Sequence, residues 1–558
     1  MRPRPVRRVL LAALLAGCAP IATTSTAAAT TPRPRGGPTT VSVIVEGRPG
    51  ADAVVARRVR ELGGRVSRAL PIIHGVAAAV PTQHLAALAA DPAIGAVAPD
   101  ARARMSATTA SDGLTAPTSD YRQALRVDQV WQAGDQGQGV TVALVDTGVS
   151  ASPDLQGRIL PVTDDVTGRT APCENLSGEP TCDDTYGHGT FVAGIIAGNG
   201  AASDGTWSGV APRANLVVVK VAGRDGASDV SNVLAAIQWV VSFKDRYHIR
   251  VLNLSFATDS TQSYRSDPFD YAVERAWDAG IVVVVAASNR GPGRGTVAKP
   301  GDDPLVITVG AVDDRGTPGI GDDALPNFSA RGPTAADALA KPDVVAPGAH
   351  IVSLRAAGST IDEAFPDPVD TAYRRGSGTS FSTAATSGVV ALMLARTPGL
   401  EPDEVKYALA ATARPLPASG DPMAVGAGEV DATVAVNPPA GTANAGIVRS
   451  TGKGSLDVSR GGVSVQTATL PQVAIDGMLT AQDVAWDPSS FLLGWNPVGW
   501  YTSTWYITPW LPVTWSGDGW PGHNWAGGDW EGAEWDGTSV DGSYGTPLEG
   551  SAWFGAWD

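Results

Sequence analysis

Between residues 119 and 436 the hydrophobic positions come in short, nearly continuous runs, at 141–145, 216–221, 251–254, 281–285 and 306–309. Strands covered on both faces have this pattern, whereas a half-exposed strand alternates. Longer stretches with apolar residues at helical spacing lie between them, at 230–243, 271–278, 381–395 and 404–411. The alternation predicts an α/β domain with a doubly wound, mostly parallel sheet. Ligands of such sheets bind beyond the carboxyl ends of the strands. Asp146 follows the first run, Ser255 the third, and Asn289 lies just past the fourth, so three polar residues converge on one edge.

Residues 41–105 follow a different pattern. A strand at 41–45, a helix at 53–62, two short strands within 65–80, a helix at 83–90 and a strand at 94–98 predict a small α+β unit. A Pro/Arg/Gly linker (31–40) precedes it and a polar Ala/Thr/Ser linker (106–118) follows. After 436 a linker or small extension (437–484) leads to a Trp-rich tail (485–558). There Trp495, Trp500, Trp505, Trp510, Trp515, Trp520, Trp525, Trp530 and Trp535 recur every five residues. That period suits neither a strand face nor a helix face. Gly, Pro, Asp and Asn between the indoles predict one turn per repeat. Stacking on sugars of a cell envelope, a self-packed repeat and a removable extension are the readings of this tail.

At the N-terminus Arg2, Arg4, Arg7 and Arg8 precede an apolar stretch at 9–16, which predicts an export signal over residues 1–30. Leu15-Ala16-Gly17-Cys18 resembles a lipobox, in which Cys18 would carry a lipid; cleavage as an ordinary secretory peptide near 27–29 is the other reading. Either way the chain is exported, to the medium or the cell envelope. The 558 residues are 43% hydrophobic and 17% charged, enough for several domains with sizeable cores. A net charge of −15 argues against nucleic acid as a partner. Past the N-terminus no apolar run approaches the roughly 20 residues that span a bilayer. In an oxidising compartment Cys173 and Cys182 are expected to form a disulfide. Closing so short a loop stabilises the fold by roughly 2–3 kcal/mol. As metal ligands two thiols without a nearby spare His make an incomplete set.

Three segments carry candidate chemistry. Val142-Ala-Leu-Val-Asp146-Thr-Gly148 puts a carboxylate at the end of a buried strand, and Gly187-His188-Gly-Thr-Phe-Val-Ala-Gly194 puts a histidine at the head of a helix. Gly378-Thr-Ser380 opens an apolar helix with a serine in its first turn. A serine hydroxyl is a poor nucleophile until a neighbouring base takes its proton. Imidazole suits that task near neutral pH, and a buried carboxylate fixes its tautomer. Asn289 and the backbone N–H of Ser380 could donate to an oxyanion. Taken singly, each residue has a plainer reading: Asp146 as a turn residue, His188 as structural, Ser380 as an N-cap, Asn289 as a loop residue. Together, in the order Asp, His, Ser, they match one of the known triad orders.

With these segments, residues 119–436 resemble the subtilase family of serine peptidases. Gly209-Val-Ala-Pro212, Phe328-Ser-Ala-Arg-Gly-Pro333 and Lys341-Pro-Asp-Val-Val-Ala-Pro-Gly348 extend the match. The resemblance implies a subtilisin-like fold, an extended cleft and peptide-bond hydrolysis through an acyl-enzyme, with protein or peptide substrates. It implies that Gly226, Ala227 and Ser228 on one side, and Ser255, Phe256 and Ala257 on the other, pair with the substrate backbone. Phe256, Ala257 and Ser288 add bulk where the family commonly has Leu or Gly, which implies a narrower pocket before the cut bond. Phe191 stands in place of a frequent His and Ala384 in place of a usual Pro. No cofactor is implied; structural calcium is possible in the family, but its loop is not recognisable between residues 198 and 209. Residues 41–105 resemble the family's inhibitory propeptide, which assists folding and then blocks the cleft as an intramolecular inhibitor. Three function classes follow: a secreted, self-processing endopeptidase, a transpeptidase or cyclase on the same fold, and a catalytically silent envelope-binding scaffold. The intact Asp146, His188 and Ser380 set favours the first.

Overall fold

The computed structural model describes residues 40–48, 51–100, 102–103, 117–163, 169–226, 228–258, 260–366, 368–417 and 420–454, with three short strands farther on. The export signal with Cys18 and most of the 106–118 linker lie outside the described residues, as does the Trp array apart from Trp530.

The N-terminal unit is a four-stranded antiparallel sheet in the order Arg65–Leu70, Gly75–Pro81, Thr40–Gly47, Ile94–Pro99, with helices Asp52–Glu61 and Leu85–Ala89. Alternation along the strands divides its side chains between two cores. Val43 and Val45 pack inward with Val55, Val59, Leu88 and Val97. Ile44 and Ala77, from the opposite face, join Leu70, Ile72 and Ile73 in the core of the large unit. The small sheet is therefore seated on its neighbour by apolar contact.

The large unit is built on seven parallel strands, in the order Val344–Pro347, Ile307–Val312, Val282–Ala286, Ile249–Leu254, Thr141–Asp146, Asn215–Lys220, Cys173–Asn175. All five strands expected from the hydrophobic runs are present. Two more complete the sheet. Cys173–Asn175 is a three-residue edge strand of mixed polarity, and Val344–Pro347 is framed by prolines, so neither produces a hydrophobic run. Thr141–Asp146 has partners on both sides, Asn215–Lys220 and Ile249–Leu254, and the chain crosses from one side to the other there. That change of direction opens a crevice at the strand's carboxyl end, where Asp146 sits. Helix Thr379–Arg396 is buried from Thr379 to Leu394, which accounts for its lack of a polar face. Beyond residue 436 the chain continues along the large unit to 454, where the Ser450 N–H donates to Glu274 (2.8 and 2.9 Å) and the Thr451 N–H to the Arg265 carbonyl (2.8 Å).

Candidate active site

Asp146 ends its strand with its backbone in register with Lys220, and its side chain is fully buried. One carboxylate oxygen accepts the Thr147 N–H (2.8 Å) and the Nδ1–H of His188 (2.8 Å); the other lies 3.0 Å from the same Nδ1. This contact fixes the tautomer, placing the acceptor lone pair on Nε2. His188 is the first residue of helix His188–Ala197. That helix has no capping side chain at Gly187, and Asp184 supplies the missing acceptor: its carboxylate takes the N–H groups of Gly187 (2.7 Å) and Thr190 (2.7 Å) and the Thr147 hydroxyl (2.7 Å). Burial, and less strongly the nearby Asp146, push the Asp184 carboxyl up, against the hydrogen bonds that favour its anion. Gly189 must be glycine, because a Cβ there would lie 2.2 Å from the Gly148 carbonyl and 3.0 Å from Asp146 Oδ1.

Ser380 is the second residue of helix Thr379–Arg396, so its N–H belongs to the first turn, where backbone donors have no intrahelical acceptor. The start of this helix lies against the His188 imidazole. Phe381 stacks on the His188 ring with centroids 5.9 Å apart, and Phe191 packs on Phe381 at 4.4 Å. Phe191 thus has an apolar role that a His would not fill as well. Ser380 Oγ is buried and has no hydrogen-bond partner among the described residues. Asn289 is buried beyond strand Val282–Ala286. Its side-chain oxygen accepts both the N–H and the hydroxyl of Thr379, each at 2.9 Å. The carboxamide is thereby oriented against the start of the helix that carries Ser380. The preceding residue, Ser288, has φ of 104°, a conformation that favours glycine.

The structure thus joins His188 to Asp146, sets Phe381, which follows Ser380, on the His188 ring, and ties Thr379, which precedes Ser380, to Asn289. The residues expected to pair with substrate fall into two groups. Ser255, Phe256 and Ala257 are buried just past strand Ile249–Leu254, with Ser255 Oγ accepting from Asn253 (3.3 Å). On the opposite side Gly226 closes a turn onto the Gly223 carbonyl (2.9 Å), and Ser228 uses its hydroxyl internally, on the Val221 carbonyl (2.7 Å). Ala227 lies outside the described residues. Ser228–Asp229 forms a short antiparallel pair with Arg102–Ala103, the segment that leaves the N-terminal unit. Cys173 and Cys182 are joined as a disulfide. Among the described residues no group of three or more His, Cys, Asp or Glu is placed to hold a metal ion.

Sequence reasoning missed Asp184, Thr147 and Thr379. Each is a short polar residue in a loop or first turn, where its default role is local capping. The Asp183-Asp184 pair just before Gly187-His188 was the available signal, since an acid there can serve the start of a helix.

Comparison with known proteins agrees with this geometry. The model described as Subtilase family matches residues 137–454. Serine protease AprX of Bacillus subtilis (strain 168) is 42% identical over 279 residues, covering 49% of this chain and 61% of that protein. Subtilisin DY of Bacillus licheniformis is 31% identical over 316 residues, covering 56% and 96%. The chain spans about three fifths of the length of AprX. The crystal structure of fervidolysin from Fervidobacterium pennivorans, a keratinolytic enzyme related to subtilisin, shares the fold. It superposes with a TM-score of 0.54 at 24% identity, covering 72% of this chain and 61% of that one.

Proposed function

The chain belongs to the subtilase family, and on that premise we propose that it is an exported serine endopeptidase made as a self-processing precursor. The observation that carries the chemistry is the buried Asp146–His188 contact of 2.8 Å facing the segment that bears Ser380. In this reading His188 Nε2 takes the Ser380 proton as Oγ attacks the scissile carbonyl. Asp146 holds the ring and stabilises the imidazolium. The oxyanion is met by the Asn289 NH2 group and the Ser380 N–H. The imidazolium then protonates the leaving amine, and a water activated by the same ring hydrolyses the acyl-enzyme. Substrate proteins or peptides would lie extended between the 226–228 and 255–257 segments.

The precursor reading rests on the pairing of Arg102–Ala103 with Ser228–Asp229. A chain leaving the N-terminal unit occupies, in extended form, the edge assigned to substrate. The unit would then act as an intramolecular inhibitor until the linker is cut. Export is supported by the N-terminal sequence; among the described residues no helix is long and apolar enough to cross a membrane.

Mass analysis of wild type and Ser380→Ala, made in a host lacking other proteases, tests the proposal. Wild type is expected to be cut between about residues 104 and 118, and Ser380→Ala to fold but keep its N-terminal unit. Equal processing of both would refute self-cleavage. Hydrolysis of a model peptide by wild type but not by Ser380→Ala is the test of the peptidase itself.

A further inference from the structure

Glu179 lies in none of the segments that carry the proposed chemistry, yet its carboxylate takes three donors beside the cleft. One oxygen accepts the Thr185 hydroxyl (2.6 Å) and the Lys220 ammonium (2.7 Å); the other accepts the Arg224 N–H (2.8 Å). These donors belong to separate parts of the site. Thr185 precedes the His188 helix. Lys220 is fully buried and level with Asp146 on the adjoining strand, and its ammonium also donates to the Asp183 carbonyl. Arg224 begins the edge that turns at Gly226 and continues into Ser228–Asp229. The fit at this edge is close: a Cβ on Gly223 would lie 2.8 Å from Glu179 Oε1. The Arg224 carbonyl is held from the other side by the Thr360 hydroxyl (2.6 Å).

The loop that presents Glu179 is itself fastened. Its first strand, Cys173–Asn175, pairs with Val218–Lys220, and the Cys173–Cys182 bridge closes it. Inside the loop the Asn175 side-chain amide donates to the Glu179 carbonyl (2.8 Å), and the Glu179 N–H donates to Ser177 Oγ (3.1 Å). Burying Lys220 would be costly without a counter-ion, and the loop supplies one. The same carboxylate grips the backbone of the edge. The ion pair is thereby coupled to the position of residues 223–226.

We infer that Glu179 is a positioning residue for the peptide-binding edge that begins at 223–226, and that the disulfide-closed loop at 173–182 holds it there. The inference rests on the proposed reading of that edge as the surface that pairs with extended substrate. It predicts that Glu179 governs binding of peptides long enough to reach the edge and leaves the bond-breaking groups alone.

The test compares processed wild type with Glu179→Gln on two substrates: a peptide extending at least four residues on the acyl side, and a single-residue ester that cannot reach the edge. Glutamine offers one acceptor oxygen where the carboxylate offers two, so either the Lys220 ammonium or the Arg224 N–H faces its NH2 group, and the link between the two is broken. KM for the long peptide is expected to rise about tenfold, the scale of one lost charge-assisted hydrogen bond, with kcat kept within about twofold. The ester's KM should stay put. A purely structural role would change both substrates together, and that result, or no change in either, would overturn the inference. Should Glu179→Gln fail to fold, Thr360→Val removes the opposing grip on Arg224 and should give the same split; a Thr360→Val enzyme with unchanged long-peptide KM would then refute it. The underlying reading of the edge fails in a different way, if wild type itself gains nothing from lengthening the substrate.

Discussion

Replacing Asn289 separates two jobs of one side chain, one seen in the structure and one proposed. Its oxygen accepts the Thr379 N–H and hydroxyl, at 2.9 Å each, while its NH2 group is the proposed oxyanion donor. Asn289→Ala removes both functions. Loss of an oxyanion donor costs about 100- to 1,000-fold in kcat, or about 2.7–4 kcal/mol, with little change in KM because the charge exists only in the transition state. Leaving the buried Thr379 N–H without its acceptor adds a stability cost of about 1–3 kcal/mol. Asn289→Asp distinguishes the two effects. A carboxylate still accepts from Thr379, so the stability cost should shrink, but it opposes an oxyanion instead of donating to it, so kcat should fall at least as far as in the alanine variant. Turnover would be measured on processed enzyme with a chromogenic peptide, and thermal unfolding in a Ser380→Ala background so that autolysis does not intervene. Full kcat in either variant would remove Asn289 from the oxyanion site. A low kcat in Asn289→Ala with wild-type kcat in Asn289→Asp would mean that only the grip on Thr379 matters.

Two further outcomes follow from the packing and the buried charges. Gly189→Ala should prevent assembly of the site, since its Cβ would fall 2.2 Å from the Gly148 carbonyl and 3.0 Å from Asp146 Oδ1; a variant that processes itself at the wild-type rate would refute the close approach. Glu429 is fully buried, and its carboxyl is pushed from 4.5 up to about 9, by burial first and then by its contact with Asp323. A carboxyl with a raised folded value holds its proton more tightly when folded, so its contribution is fully present below its unfolded value of about 4.5 and is lost as pH rises through about 9. The Tm of Ser380→Ala should therefore fall over that range, and Glu429→Gln, which mimics the protonated carboxyl, should flatten the fall; an unchanged slope would show that Glu429 does not titrate there.

How far the sequence revealed this molecule depended on whether a feature rests on local pattern or on contacts distant in the chain. Strand Thr141–Asp146 was legible because burial on both faces leaves an unbroken apolar run. Cys173–Asn175 was not, because an edge strand of three residues needs no such run. Asp146, His188 and Ser380 stood out only through their order and their glycine-rich settings. Asp184 carried no such setting, and its value comes from three donors that the fold gathers: Gly187, Thr190 and Thr147. The Glu179–Lys220 pair was equally silent. A Lys at the end of a strand and a Glu in a polar loop are ordinary surface features until the structure buries one against the other. The pairing of Arg102–Ala103 with Ser228–Asp229 joins segments with no local signal for each other, and only the placement of the N-terminal unit brings them together.

The sheet explains how groups so scattered in the chain can share one geometry. Asp146 ends one strand, and Asn289 lies beyond Val282–Ala286, with Ile249–Leu254 between them. Neighbouring strands are held about 4.8 Å apart by their hydrogen bonds, so Asp146 and Asn289 are offset by about two such steps, close to 10 Å. Ser380 does not come from the sheet at all, and its helix must be set against both ends of that interval. Thr379 ties the helix start to Asn289, while Phe381 packs on the His188 ring. His188 in turn is fixed twice, at its ring by Asp146 and at its helix start by Asp184. Each of these residues is thus anchored to a rigid element as well as to its neighbours. The consequence is that a conservative change at Thr379 or Asp184, neither of which belongs to the proposed triad, should disturb its alignment as surely as a change in the triad itself.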